Sequence, residues 1–247
     1  MTMFQHSLCV LIAIALAFAL AKKFRVSTEL SLLLAAVGAI VVHVILPQGE
    51  DPRSVLPFTE IIRHFVEGTF TYFDVCLTFL TATFFMTLYK EAGGVSYLVR
   101  QIVKRFYSHR VVCLLLLMVV MLIPGAVTGS GATTVLTVGS LVGAVLAAMG
   151  VDEDRRVALI FLLAAMSAAC PPINLWAMMA AAGANMPYVG FTAPLAILSI
   201  LGALFATFYL AGRGAKNSNV DEALASLPEV PQGWNAVRAF VPFIVMI

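Results

Sequence analysis

The chain has 247 residues, 61% of them apolar and only 11% charged, with a formal net charge of +2. Soluble domains carry about 25% charged residues, so this composition excludes an ordinary soluble enzyme, and a small, dispersed positive charge excludes a nucleic-acid face. The four cysteines, Cys9, Cys76, Cys113 and Cys170, lie in apolar stretches without CxxC or Cys/His spacing, which reads them as small hydrophobes and not metal ligands.

Several apolar runs reach the roughly 20 residues that cross about 30 Å of hydrocarbon, so length here counts spans. The run 4–21 is too long for a signal-peptide core and its charges follow it, which predicts a first span. A second span is predicted over 29–46 and a third over 70–89. Between them lies a polar stretch with Glu50, Asp51, Pro52, Arg53 and Pro57. Within it Leu56, Ile61, Ile62 and Phe65 suggest a short interfacial helix. After the third span, Val95, Leu98, Val99, Ile102, Val103 and Phe106 recur at helical spacing opposite Arg100, Gln101, Lys104 and Arg105. This pattern predicts a basic helix over 92–107 lying on the membrane surface.

Residues 111–150 are apolar apart from the uncharged interruption Pro124-Gly125-Ala126-Val127-Thr128-Gly129-Ser130-Gly131 and the following Ala132-Thr133-Thr134. They predict a hairpin of two helical arms. The charged loop Asp152-Glu153-Asp154-Arg155-Arg156 leads into a span over 157–184 that Cys170-Pro171-Pro172-Ile173-Asn174 should break midway. A last full span is predicted over 191–210, then a polar linker over 211–236 with Pro228 and Pro231. Residues 237–247 begin a further span.

Excess Lys and Arg in short loops marks the cytoplasmic side. With the N-terminus outside, the inner side holds Lys22, Lys23, Arg25, Lys90, Arg100, Lys104, Arg105, Arg110, Arg155, Arg156, Arg213, Lys216 and Arg238, and the outer side only Arg53 and Arg63. The segment after 236 then starts inside, whereas the first span starts outside. A second copy of the pattern would therefore be inverted, as in many transporters.

Non-helical backbone at membrane depth survives only inside protein or beside a water-filled cavity, so two uncharged breaks point to a site. Each sets orphan carbonyls of one half-helix beside orphan amides of the next, with partial negative and positive charge. Gly129 and Gly131 would let a ligand approach the backbone, Ser130, Thr133 and Thr134 add hydroxyl oxygens, and Asn174 could cap its half-helix or offer an amide oxygen. Two readings of 111–150 stand: a re-entrant hairpin, or two ordinary spans joined by a tight outer turn. The uncharged turn and the nearby prolines favour the first. Gly139 and Gly143 form a GxxxG pair suited to close helix packing. Asp74 and His43 sit near span ends, where a proton or cation ligand and a solvated interfacial group look alike. Ser130 has no His or Lys in its hairpin and no GxSxG around it, which argues against a membrane hydrolase.

These segments resemble the large permease subunit of TRAP transporters, within the wider ion-transporter superfamily. The resemblance rests on 124–134, on Cys170-Pro-Pro-Ile-Asn174 and on Asn185-Met-Pro-Tyr-Val-Gly-Phe191, and extends over roughly 4–210. It implies an all-α integral membrane protein of about five spans plus a re-entrant hairpin and a broken helix. Residues 1–210 would be the first repeat of an inverted-repeat transporter. The implied activity is elevator-type, sodium-coupled uptake of organic acids such as C4-dicarboxylates across a bacterial inner membrane, with no cofactor beyond the coupling Na+. Proton-coupled or channel-like movement, or an accessory subunit, is the alternative. The implied partners are membrane lipid, a small TRAP membrane subunit, a periplasmic solute-binding protein and a second permease half. Matched residue by residue, Ser130, Gly131, Thr133 and Asn174 fall to the substrate, and Gly129, Ser130, Thr134, Pro171 and Asn174 to sodium. The breaks contain no Lys or Arg. A dicarboxylate would thus be held by helix amides and need cations beside it.

Overall fold

The structure is a computed structural model describing residues 3–46, 58–212, 214–215, 220–230 and 233–246. The polar stretch 47–57, Leu56 included, and Arg53, Arg213 and Lys216 of the orientation count lie outside the described residues. No strand occurs among those described. The chain divides into two compact units, Met1–Phe70 and Thr71–Ile247.

In the first unit α1 (Met3–Lys23) and α2 (Thr28–Ile45) form an antiparallel pair. Ser27 caps α2 by accepting from the Leu30 amide (3.4 Å), and its own carbonyl accepts from the Ser31 hydroxyl at 2.7 Å. Gly38 brings the helices close, since a Cβ there would lie 3.1 Å from that of Ala17. His43 packs edge-on against His6 with ring centroids 5.1 Å apart. The expected short helix is present as α3 (Phe58–Thr71), with an Arg63–Glu67 ion pair at 3.2 Å.

The second unit is built on α6 (Arg110–Thr128). Its Cys113, Leu114, Leu117, Met118 and Met121 are all buried, so the helix is apolar around most of its circumference because protein surrounds it. Around it pack α4 (Phe73–Glu91), α5 (Gly94–Phe106), α9 (Glu153–Ala169) and α11 (Thr192–Leu210). The return arm of the hairpin comprises α7 (Gly131–Thr134), a π-turn (Val135–Gly139) and α8 (Ser140–Ala148). The GxxxG glycines face α9, where Cβ atoms on Gly139 and Gly143 would lie 3.3 and 3.2 Å from Ile160. On α11 the small residues Ser199, Ala203, Ala206 and Thr207 are buried, while Phe205 is 71% exposed on the opposite face. Small residues permit close helix approach where lipid would offer Leu no advantage.

Five helices are long and apolar enough to cross a bilayer: Phe4–Lys23, Thr28–Ile45, Arg110–Thr128, Gly131–Ala148 and Tyr188–Leu210. The number agrees with the sequence reading but the membership differs. Both hairpin arms are among the five, whereas α4 qualifies only together with the helix before it.

The apolar face of α5 is not left to lipid, as the sequence pattern suggests. Val95, Val99 and Val103 are buried at 2%, 0% and 0% exposure against neighbouring helices. Part of the linker is helical: it contains α12 (Val220–Ala225), packed on α5 and α8. The Arg100 guanidinium donates to the carbonyls of Leu224, Leu227 and Pro228 at 3.1, 3.0 and 3.3 Å, so a cation closes the C-terminal end of α12. Trp234 Nε1 donates to the Ala92 carbonyl at 2.7 Å, and the Tyr89 hydroxyl to that of Ala239 in α13 (Ala236–Met246) at 2.9 Å. Arg100→Ala should loosen this clamp by about 1–2 kcal/mol for a partly exposed charged donor. Limited proteolysis should then cut within 211–236 several-fold faster, with Arg100→Lys intermediate because it lacks the planar fork.

Candidate functional site

Pro124 lies inside α6, and its missing amide removes one helical hydrogen bond one turn before the helix ends. The Thr128 hydroxyl donates to the Pro124 carbonyl at 2.7 Å and accepts from the Ser130 amide at 3.2 Å. Gly129, at φ +68°, provides the left-handed cap, and its amide donates to the Gly125 carbonyl at 2.6 Å. Ser130 is extended and caps α7, its hydroxyl oxygen accepting from the Thr133 amide at 3.4 Å. Two residues thus separate the end of one helix from the start of the next.

The second break follows the same logic. α9 stops at Ala169, Cys170 is extended, and the Pro171–Pro172 peptide is cis. Asn174 opens α10 (Leu175–Gly183): its Oδ1 accepts from the Ala177 amide at 2.9 Å and its Nδ2 donates to the Ala169 carbonyl at 3.1 Å. One buried amide side chain therefore ties the two half-helices together.

Folding brings the two breaks into contact. The Ile173 amide donates to the Ala126 carbonyl at 3.0 Å. The Ser167 hydroxyl donates to the Ala164 carbonyl at 2.7 Å, which leaves Thr134 as the donor in its own 2.7 Å bond to Ser167. Three glycines make the approach possible. A Cβ on Gly125 would run into Ser167, one on Gly129 would lie 2.7 Å from the Leu175 nitrogen, and one on Gly131 would lie 2.7 Å from the Ala164 oxygen.

Gly129, Ser130, Gly131, Thr133 and Thr134 accordingly sit at the hairpin tip, with Pro171 and Asn174 on the break against which it is seated. Their present engagements differ. The side chains of Thr134 and Asn174 are buried and already hydrogen-bonded within the protein. Ser130 and Gly131 are half-buried, and the Thr133 hydroxyl has no partner among the described residues. Asp74 is exposed in the first turn of α4, where a carboxylate favourably meets the helix dipole. His43 belongs to the first unit.

Three contributors escaped the sequence reading. Ser167 is the lone hydroxyl in the apolar run of α9, and Thr78 and Thr81 stand three apart on α4. The threonines, with Ala82, Phe85 and Ile173, line a cavity of 380 Å³ beside the second break. A larger groove of 610 Å³ along Gly139, Gly143 and Ile160 touches neither break.

Neither 111–150 nor 157–184 contains Asp, Glu, Lys, Arg or His. The electrostatics of the seated breaks are therefore those of helix ends: carbonyls from α6 and α9, amides from α7 and α10. Carbonyl and hydroxyl oxygens suit a hard monovalent cation, and amides suit a carboxylate.

A multi-pass helical membrane protein with an uncharged hairpin tip seated on a broken helix has the construction of a carrier. The chain belongs to the DcuC family, described as C4-dicarboxylate anaerobic carrier, whose family model matches residues 4–229. No curated protein and no solved structure matches it. The match assigns an ion-transporter-type permease family, the level at which the resemblance to TRAP permeases holds; it does not single out the TRAP permease.

Proposed function

We propose that the chain moves C4-dicarboxylates across the membrane as a sodium-coupled carrier. The observation that carries this reading is the seating of the hairpin tip on the broken helix with no charged side chain in 111–150 or 157–184. Two carboxylates brought to such a place carry negative charge that helix amides compensate only in part, since a helix end is worth about half an elementary charge. Sodium ions held by carbonyls and by hydroxyls such as those of Ser130 and Thr133 supply the rest. In this reading Gly129, Ser130, Thr134, Pro171 and Asn174 surround sodium, and Ser130, Gly131, Thr133 and Asn174 face the substrate. Thr134 and Asn174 would act mainly through backbone groups, because their side chains already have partners.

The interlocked contacts between tip and break favour motion of the two as one body, which is the requirement of an elevator-type mechanism. In inverted-repeat carriers a second hairpin and broken helix of opposite orientation face the first, and we assign the present pair to the first repeat. The membrane is expected to be a bacterial inner membrane with the N-terminus outside. The resemblance to TRAP permeases additionally proposes a small membrane subunit and a solute-binding protein as partners.

The test is uptake of a labelled C4-dicarboxylate into proteoliposomes carrying the full chain. External sodium should raise the initial rate at least about tenfold over potassium, because one bound cation neutralises a charge that a low-dielectric site otherwise penalises by more than ~1.4 kcal/mol. Equal rates in the two salts would remove the coupling ion. No uptake in either would remove the substrate class as well.

A further inference from the structure

We infer that the Tyr188 hydroxyl is a direct ligand of the bound carboxylate at the broken helix. This inference rests on the carrier function proposed above and adds a residue from outside both breaks. Tyr188 opens the 3-10 turn Tyr188–Phe191 that leads from α10 into α11. The turn is fixed on both sides. The Asn185 and Met186 amides donate to the carbonyls of Ala182 and Ala181 at 3.1 and 2.8 Å, Asn185 adopts φ +52°, and the Tyr188 ring stacks on Phe191 with centroids 6.4 Å apart.

This geometry places the phenol oxygen beside the Asn174 backbone and Cys170, where α9 gives way to α10. The oxygen is buried, the Asn174 amide is directed toward it, and among the described residues its hydroxyl proton has no acceptor. A buried hydroxyl proton without an acceptor carries an unmet desolvation cost, so the place is better explained by an acceptor that arrives than by the empty fold. A phenol brings one strong donor, and the bonds it makes to ionised acceptors are the stronger kind. Its neighbours are also chosen for an anion: the half-helix that Asn174 caps presents its first amides there. The ring adds an apolar wall for the carbon chain between two carboxylates.

Tyr188→Phe removes the oxygen alone. In the liposome assay the variant should raise the half-saturating concentration of labelled C4-dicarboxylate about tenfold, the usual scale for deleting one hydrogen bond to a charged group, with the maximal rate within about twofold. In the purified chain without substrate its unfolding temperature should be nearly unchanged, because the removal of an unmet donor offsets the loss of an acceptor facing the Asn174 amide. The rise in unfolding temperature that substrate produces in the wild-type chain should be lost. A variant with lower unfolding temperature and unchanged half-saturation, beside an active wild type, makes Tyr188 structural and overturns the inference alone. A wild-type chain that neither takes up the dicarboxylate nor is stabilised by it overturns the function and the inference together.

Discussion

Replacing Gly129 by valine is expected to abolish uptake and to lower the unfolding temperature more than the same substitution at an exposed position of the hairpin such as Ala132. Two independent effects add at this position. Gly129 sits at φ +68°, a region that costs an L-residue roughly 1–2 kcal/mol and a β-branched one more. Its Cβ would also lie 2.7 Å from the Leu175 nitrogen. That atom is backbone at the start of α10, so it cannot turn aside as a flexible side chain could. Overpacking of this kind typically costs about 1–3 kcal/mol, giving on the order of 3 kcal/mol together. The strain is relieved by lifting the tip off the broken helix, which would separate the groups proposed to hold substrate and ion. Gly129→Ala should lie between the two. Wild-type uptake by Gly129→Val would show that the tip does not work from its seated position.

Asn174→Ala should be nearly as severe, for a different reason. The side chain is 5% exposed and makes one bond to each half-helix. Its loss removes an N-cap worth about 1 kcal/mol and leaves the Ala169 carbonyl unpaired in a buried place, about 1–3 kcal/mol more. Two further variants separate stability from function. Asn174→Ser keeps a capping oxygen and loses only the bond to Ala169, so it should recover about half of the lost stability. Asn174→Asp keeps the cap acceptor but sets a carboxylate against a carbonyl and adds negative charge where a carboxylate is proposed to bind. Its uptake should therefore fall further than its unfolding temperature predicts. Uptake that tracks stability alone across the three variants would make Asn174 a structural staple with no part in binding.

Much of this architecture is legible along the chain because its causes are local. Apolar runs the length of a bilayer, the Gly-Ser-Gly of 129–131 and the Pro-Pro-Ile-Asn of 171–174 each act through their own backbone. They mark both breaks and the capping role of Asn174, while Ser130, read for its hydroxyl oxygen, also stands at a helix start and caps it. The site is less legible. Ser167 looks like any serine in an apolar helix until it is seen bonded to Thr134, 33 residues away. Tyr188 stands in the 185–191 segment that carries part of the resemblance, but no spacing marks its hydroxyl. Asn174 offers an amide side chain on paper, but folding engages both of its ends.

The amino-acid sequence by itself determined that this protein is helical, membrane-embedded and interrupted twice by uncharged polar turns, since hydropathy and the φ restrictions of proline and glycine operate within a few residues. Only the tertiary structure decided that the two interruptions meet, that α12 orders part of the linker, and that the amphipathic face of α5 is covered by protein instead of lipid. An apolar stripe has the same spacing whichever apolar surface receives it. A close approach such as Gly125 on Ser167 depends on two distant positions at once, which no periodicity records.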